Sequence, residues 1–204
     1  MMKLSCRVIL ASASPRRKEL LSGMGIDFVA VPADVEEIGP DKGCSAAETV
    51  RLNACLKSLT VSELYPESLV IGADTVVECG GRIYGKPRDP ADAAAMLRSL
   101  SGREHRVMTG VSLRLKQSAL DLSFVETSKV AFKNLSDSVI QEYMRKVNVM
   151  DKAGAYAVQE HGELILSSLT GSLSNVIGLP VETLRKELIR SGLAVPEGDA
   201  APGI

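Results

Sequence analysis

Leu69-Val70-Ile71-Gly72-Ala73-Asp74 decides the fold. Five apolar residues follow one another without alternation, as in a strand buried on both faces, and such strands belong to α/β sheets covered by helices. Asp74 closes the run and is expected at its carboxyl end, where ligands gather in open α/β sheets. The flanking segments agree with that class. Upstream, Val8-Ile9-Leu10-Ala11 passes through Ser12-Ala13-Ser14-Pro15 into a helical stretch over 16–22 that stops at Gly23 and Gly25. Phe28-Val29-Ala30-Val31 leads into the acidic loop Asp34-Val35-Glu36-Glu37, and 46–59 is helical by composition and spacing.

Downstream, Val76-Val77-Glu78-Cys79, Gly80-Gly81 and Arg82-Ile83-Tyr84 make a hairpin, because two glycines accept the positive φ angles of a primed turn. Residues whose numbers sum to 161 then face one another, which sets Thr75 opposite Lys86. Asp89 caps a helix that Pro90 opens and Gly102 ends. Strands are expected over 107–115 and 123–132, and a helix over 137–147. A glycine-punctuated stretch follows, with one more strand at Leu164-Ile165-Leu166, and a last helix covers 181–191. The reading is α/β with a mixed, largely extended sheet flanked by helices, one domain over 1–195, and a mobile tail over 196–204 rich in Pro, Gly and Ala.

Composition removes several function classes. The chain has 204 residues, 45% hydrophobic and 24% charged, with 24 Lys+Arg against 25 Asp+Glu, which is a globular balance and excludes disordered and fibrous classes. A net charge of −1 gives no global basic field, and four tyrosines, three phenylalanines and no tryptophan offer few stacking platforms. A nucleic-acid polymer is therefore not the expected partner. No apolar run approaches the roughly 18 residues of a membrane span. The start, Met1-Met2-Lys3-Leu4-Ser5-Cys6-Arg7-Val8, lacks a secretory signal, so a cytoplasmic protein is expected. Cys6, Cys44, Cys55 and Cys79 lie far apart without a C-x-x-C pair, and read as small apolar fillers; any metal should be a hard cation on oxygen ligands.

Four places carry chemistry. After the first strand, Ser14 and Pro15 open a helix whose first turn holds Arg16, Arg17 and Lys18. Three cations at the positive end of a helix are unfavourable by about 0.3–1 kcal/mol each unless an anion offsets them. Backbone N–H groups, the Ser12 and Ser14 hydroxyls and two guanidinium forks suit phosphate; the other outcome is side chains turned to solvent or paired with Glu19. Asp74 at a strand end either holds a cation or activates water, or merely caps a turn. The hairpin returns Lys86 beside it, and Pro87 ends the ladder there. Glu36, Glu37 and Lys57 are weaker candidates, and Gln159 offers donor and acceptor to a base edge.

These segments in this order resemble the Maf family of nucleoside triphosphate pyrophosphatases. The matching stretches are Leu10-Ala11-Ser12-Ala13-Ser14-Pro15-Arg16-Arg17-Lys18-Glu19-Leu20-Leu21, Ile71-Gly72-Ala73-Asp74-Thr75-Val76-Val77, Gly85-Lys86-Pro87, Leu100-Ser101-Gly102-Arg103-Glu104-His105, Asp151-Lys152-Ala153-Gly154-Ala155-Tyr156 and Gly178-Leu179-Pro180. The resemblance implies a two-lobed architecture with a central cleft, and hydrolysis between the α and β phosphates with a divalent cation, Mg²⁺ or Mn²⁺. It implies Asp74 as proton acceptor and metal holder, Glu37 as a second metal ligand, and Arg16, Lys57 and Lys86 lining the phosphate cleft. Arg16, Thr75 and Gln159 match the branch acting on dTTP and UTP; the sister branch acts on 7-methyl-GTP. Where that branch has Gln-Gly-x-Gly, this chain reads Gln159-Glu160-His161-Gly162. A homodimer is implied, and the family's name raises a second class of function, a nucleotide-binding regulator of septum formation.

Overall fold

The computed structural model describes residues 4–39 and 43–194; the tail expected to be mobile, at 196–204, lies outside them. In chain order the elements are β1 (Val8–Leu10), α1 (Pro15–Gly23), β2 (Phe28–Ala30), α2 (Ala46–Leu64), β3 (Leu69–Cys79), β4 (Arg82–Tyr84) and α3 (Pro90–Leu100). They continue with β5 (Glu104–Leu115), β6 (Leu120–Phe132), α4 (Asp137–Lys146), α5 (Gly162–Ile165), β7 (Leu166–Thr170), α6 (Leu173–Ile177) and α7 (Val181–Arg190). One seven-stranded mixed sheet runs β2-β1-β3-β5-β6-β7, with β4 also on β3. β1 is parallel to β2 and β3, and the other pairs are antiparallel.

The hairpin has the expected register, Val77 on Tyr84, Glu78 on Ile83 and Cys79 on Arg82, and Gly80 and Gly81 take φ of +59° and +82°. The ladder stops at Tyr84, so Thr75 and Lys86 are not a strand pair.

Asp74 does not end its strand. β3 continues unbroken for 11 residues, and Asp74 lies in its middle. What ends near Asp74 is the neighbour. β5 pairs with one edge of β3 from Val70 to Glu78, whereas the other edge is shared by β1, which stops at Ile71, and β4, which starts at Val77. Between Ile71 and Val77 no strand among the described residues covers that edge, and the sheet opens there. The same physics that places ligands beyond strand ends applies, but the strand end belongs to β1.

A second correction concerns Leu164-Ile165-Leu166. Gly162–Ile165 is a helical turn with Ile165 fully buried, and the strand begins at Leu166. Three apolar residues cannot by periodicity distinguish strand from helix, and here the run packs on a core rather than entering the ladder at once. The five-residue α6 was also absent from the sequence reading.

β3 alternates between two environments. Leu69, Ile71 and Ala73 join a core with α1 and α7, and Val77 and Cys79 join another with α3 and α4; Thr75 stands between these cores on the same face. The opposite face is roofed by α2. Its start is fixed by a capping box, in which the Ser45 hydroxyl accepts from the Glu48 N–H and the Glu48 carboxylate accepts from the Ser45 N–H at 2.9 Å. Gly72 and Gly110 let the α2 backbone lie directly on the sheet: a Cβ at Gly72 would fall 2.3 Å from the Ala54 carbonyl, and one at Gly110 2.4 Å from the Val50 carbonyl. Among the described residues no helix is long and apolar enough to cross a membrane, and the four cysteines are free thiols.

Candidate active site

The gap beside β3 opens into a cavity of about 570 Å³, within the range of small-ligand sites. Its wall includes Ser12, Ser14, Arg16, Arg17, Glu37, Lys57, Asp74, Thr75, Lys86 and Gln159, so the candidates from the sequence, Glu36 excepted, line one space. Glu36 is exposed and is not part of the wall.

The α2 side of the cavity is built on the close glycine contact. Asn53 and Lys57 stand one helical turn apart and face β3. The Lys57 ammonium lies 2.9 Å from Asp74 Oδ1 and 2.7 Å from Glu37 Oε1, bridging the two carboxylates. Lys57 and Asp74 are both buried, with side chains only 9% and 10% exposed. Asp74 Oδ2 accepts from Asn53 Nδ2 at 3.0 Å. Burial pushes the Glu37 carboxyl up, but the Lys57 hydrogen bond and the charges of Lys57, Lys86 and Arg17 outweigh it and hold the group below its ordinary range. Lys86 is exposed at the rim and makes no ion pair among the described residues.

The other side is built on α1. Ser14 caps the helix and Pro15 opens it, as expected. Arg17 is half-buried and turned inward: Nε donates to the Gly178 carbonyl at 2.8 Å, Nη1 to Ser12 Oγ at 3.2 Å and Nη2 to Thr75 Oγ1 at 3.1 Å. Burial draws its pKa down, opposed by the nearby charges of Asp74 and Glu37. Thr75 Oγ1 shares a hydrogen bond with Thr109 at 2.9 Å, and Thr109 donates to the Asn175 carbonyl at 3.0 Å. Arg16 crosses the cleft with a two-point grip on Asp151, at 2.8 Å to Oδ2 and 3.0 Å to the main-chain carbonyl. Glu19 partners neither arginine.

Asp151 in turn binds the buried Lys152 at 2.9 Å, and Lys152 lies 3.4 Å from Glu160. His161 lies 3.2 Å from Glu163. Glu160, the departure from Gln-Gly-x-Gly, and His161 at its open position are not in the cavity wall, which Glu160 meets only through Lys152. The sequence reading missed Asn53, Thr109, Asp151 as a partner for Arg16, and Tyr156 in the cavity wall. Asn53 and Lys57 at i and i+4 were a legible signal; the Arg16–Asp151 contact spans 135 positions and had none.

No cluster of three or more His, Cys, Asp or Glu capable of holding a metal occurs among the described residues. Glu37 and Asp74 supply hard oxygen donors only. Such a pair fits Mg²⁺ or Mn²⁺, which keep waters and take further ligands from substrate phosphates, and does not fit zinc.

A mixed α/β domain whose sheet parts to expose a cation-lined cleft is the class that fold and site define. The chain belongs to the Maf family: the family model described as Maf-like protein matches residues 7–191. A curated relative from Akkermansia muciniphila is 46% identical over 179 residues, covering 88% of this chain and 93% of that protein. Another, from Dictyoglomus thermophilum, is 42% identical over 188 residues, covering 92% and 97%. Both are named dTTP/UTP pyrophosphatase. Among solved structures, a nucleoside-triphosphatase / dITP/XTP pyrophosphatase from Mycobacterium abscessus superposes in part, with TM-score 0.42 and 18% identity over 63% of this chain and 75% of that one.

Proposed function

We propose that this chain is a nucleoside triphosphate pyrophosphatase that hydrolyses dTTP and UTP to the monophosphate and pyrophosphate. The observation that carries the reading is one cavity in which Asp74, Glu37 and Lys57 face Arg16, Arg17 and Lys86. Cations on three sides neutralise a triphosphate, and a fixed carboxylate positions the attacking water. The names of the relatives and the match at Arg16, Thr75 and Gln159 support the pyrimidine choice.

In this reading Arg16, Arg17 and Lys86 bind the phosphate oxygens, with Ser12, Ser14 and the amino end of α1. Asp74, held by Lys57 and Asn53, orients a water toward the α-phosphorus. The water oxygen bonds to phosphorus, the bond to the bridging oxygen breaks with its electron pair leaving on pyrophosphate, and Asp74 accepts the water proton before passing it to solvent. Glu37 and Asp74 would hold a divalent cation, Mg²⁺ or Mn²⁺, which supplies further neutralisation of phosphate charge. Gln159 presents its amide to the base. The resemblance further supports a homodimer, which sedimentation equilibrium checks as twice the chain mass.

Purified protein with Mg²⁺ or Mn²⁺ is expected to release pyrophosphate from dTTP and UTP faster than from 7-methyl-GTP. Asp74→Asn is expected to lose about 10²–10⁴-fold in turnover while still folding, as read by circular dichroism and a cooperative unfolding transition. Normal turnover by that variant, or nucleotide binding by calorimetry with no turnover in the native protein, overturns the reading.

A further inference from the structure

We infer that Asn53 is the positioning residue that ties the loop carrying Glu37 to the Asp74 carboxylate. This rests on the reading of Asp74 and Glu37 given above, and adds a residue that the family motifs quoted for this chain do not include.

Residues 31–39 have no regular secondary structure, yet one of them, Glu37, must meet Asp74 and Lys57. Among the described residues, the main chain of 32–39 makes hydrogen bonds at Ile38 only, and both go to Asn53. The Ile38 N–H donates to Asn53 Oδ1 at 2.7 Å, and Asn53 Nδ2 donates to the Ile38 carbonyl at 3.2 Å. The second N–H of the same amide donates to Asp74 Oδ2 at 3.0 Å. One side chain, 2% exposed, therefore satisfies donor and acceptor of the loop and one oxygen of Asp74.

Lys57 cannot do this by itself. Its ammonium is a point charge on a flexible stem, so it attracts both carboxylates without fixing the distance between them. The planar amide of Asn53 does fix it, because its two hydrogen bonds to Ile38 set the loop as a strand partner would. Asn53 also stands on the part of α2 pinned to the sheet by Gly72 and Gly110, so the reference it provides is rigid. Aliphatic side chains at this position would leave the Ile38 groups unpaired and Asp74 Oδ2 without its donor.

The test uses Asn53→Ala and Asn53→Asp in the full chain. In Asn53→Ala, hydrogen exchange of a peptide covering 34–39 is expected to quicken, and kcat for dTTP to fall about 10–100-fold with nucleotide KM changed less than about threefold. Asn53→Asp keeps an acceptor for the Ile38 N–H, which the exchange reads, but loses the donor to the Ile38 carbonyl and to Asp74. It is expected to exchange close to the native rate over 34–39 and still lose about tenfold or more in kcat. In the Glu37→Gln background, Asn53→Ala is expected to cost less than it does in the native chain, only the roughly tenfold share of its lost Asp74 contact, because the loop it positioned no longer carries a carboxylate. Native exchange in Asn53→Ala, kcat for Asn53→Asp within about threefold of native, or additive losses in the double variant each overturn the inference. Exchange is read without turnover, so an enzyme inactive on every nucleotide fails the reading of function separately. Should Asn53→Ala not fold, Asn53→Asp and the exchange data decide.

Discussion

At Asp74 and Thr75, adjacent residues of β3 turn to opposite faces of the sheet, and the neighbours they find differ in kind. Asp74 meets α2, where a buried ammonium and an amide hold two carboxylates together. Thr75 meets α1 and α6, where a guanidinium, two threonine hydroxyls and main-chain carbonyls form a network with no carboxylate in it. Both reach one cavity only because β1 stops three residues short of Asp74 and leaves the edge of β3 open. The alternation of a strand, which ordinarily separates core from solvent, here separates the carboxylates of the cavity wall from its guanidinium and hydroxyl network, and in the proposed function the group that acts on the phosphates from groups that orient the substrate.

The sharpest way to break this comparison is to remove the cation of the α2 face. Lys57→Met leaves Asp74 buried without its charge partner. Stability is expected to fall about 3–5 kcal/mol, with turnover lost, as read by urea unfolding and pyrophosphate release. A loss below about 1 kcal/mol would mean that water already solvates Asp74. Next is the glycine on which that face rests. Gly72→Ala sets a methyl group 2.3 Å from the Ala54 carbonyl, so α2 must lift. About 2–3 kcal/mol of stability is expected to go, and kcat with it, although the substituted residue touches no substrate. Unchanged kcat would show that the seat of α2 does not set the Asp74 geometry.

The two faces were not equally legible in the sequence. Asp74 stood out as an acid beside an apolar run, Glu37 and Lys57 were weaker candidates that the family resemblance raised, and the hairpin register followed from Gly80-Gly81 alone. The position of Asp74 within β3 was misjudged, since a polar residue in a long strand looks the same as one at its end; the deciding fact is the length of β1, a different segment. The opposite face depended on Arg16 meeting Asp151 and Arg17 meeting Gly178, contacts across 135 and 161 positions that no local spacing encodes. Arg17 was read as a phosphate ligand from the unfavourable charge at its helix start. Its structure adds that much of that charge is already engaged by main-chain and hydroxyl oxygens.

A pH experiment probes the face opposite α2 farther along β5. His105 is 2% exposed, edge-on to Phe132 with centroids 4.8 Å apart, and its Nε2 shares a hydrogen bond with the Tyr156 hydroxyl at 2.8 Å. Burial lowers its pKa from 6.5 to about 4. The unfolded chain therefore binds the proton first as pH falls, so stability is complete above 6.5 and is lost progressively down to about 4. Between pH 7 and pH 5 the loss is expected to be about 2 kcal/mol, and His105→Gln should flatten that slope. Glu37 and Asp151, whose carboxyls are held low, lose their contribution only at more acid pH. An equal slope in the variant would place the titration elsewhere.

The smallest effect on stability is expected at Thr75, and it is the most discriminating. Thr75→Val keeps the shape of the side chain while removing the hydroxyl between Arg17 and Thr109. Arg17 keeps the Gly178 carbonyl through Nε and Ser12 through Nη1 and loses only the acceptor of Nη2, in the wall of the open cavity where water can replace it, and Thr109 retains the Asn175 carbonyl, so the cost should be about 1 kcal/mol. Turnover is a different matter if Thr75 orients the substrate through Arg17. KM for dTTP and UTP is then expected to rise about tenfold with kcat nearly unchanged, the pattern of lost uniform binding and the inverse of that expected for Asn53. Equal losses of kcat from Thr75→Val and Asn53→Ala would mean that both faces of β3 serve the same step, and that the alternation of the strand divides nothing.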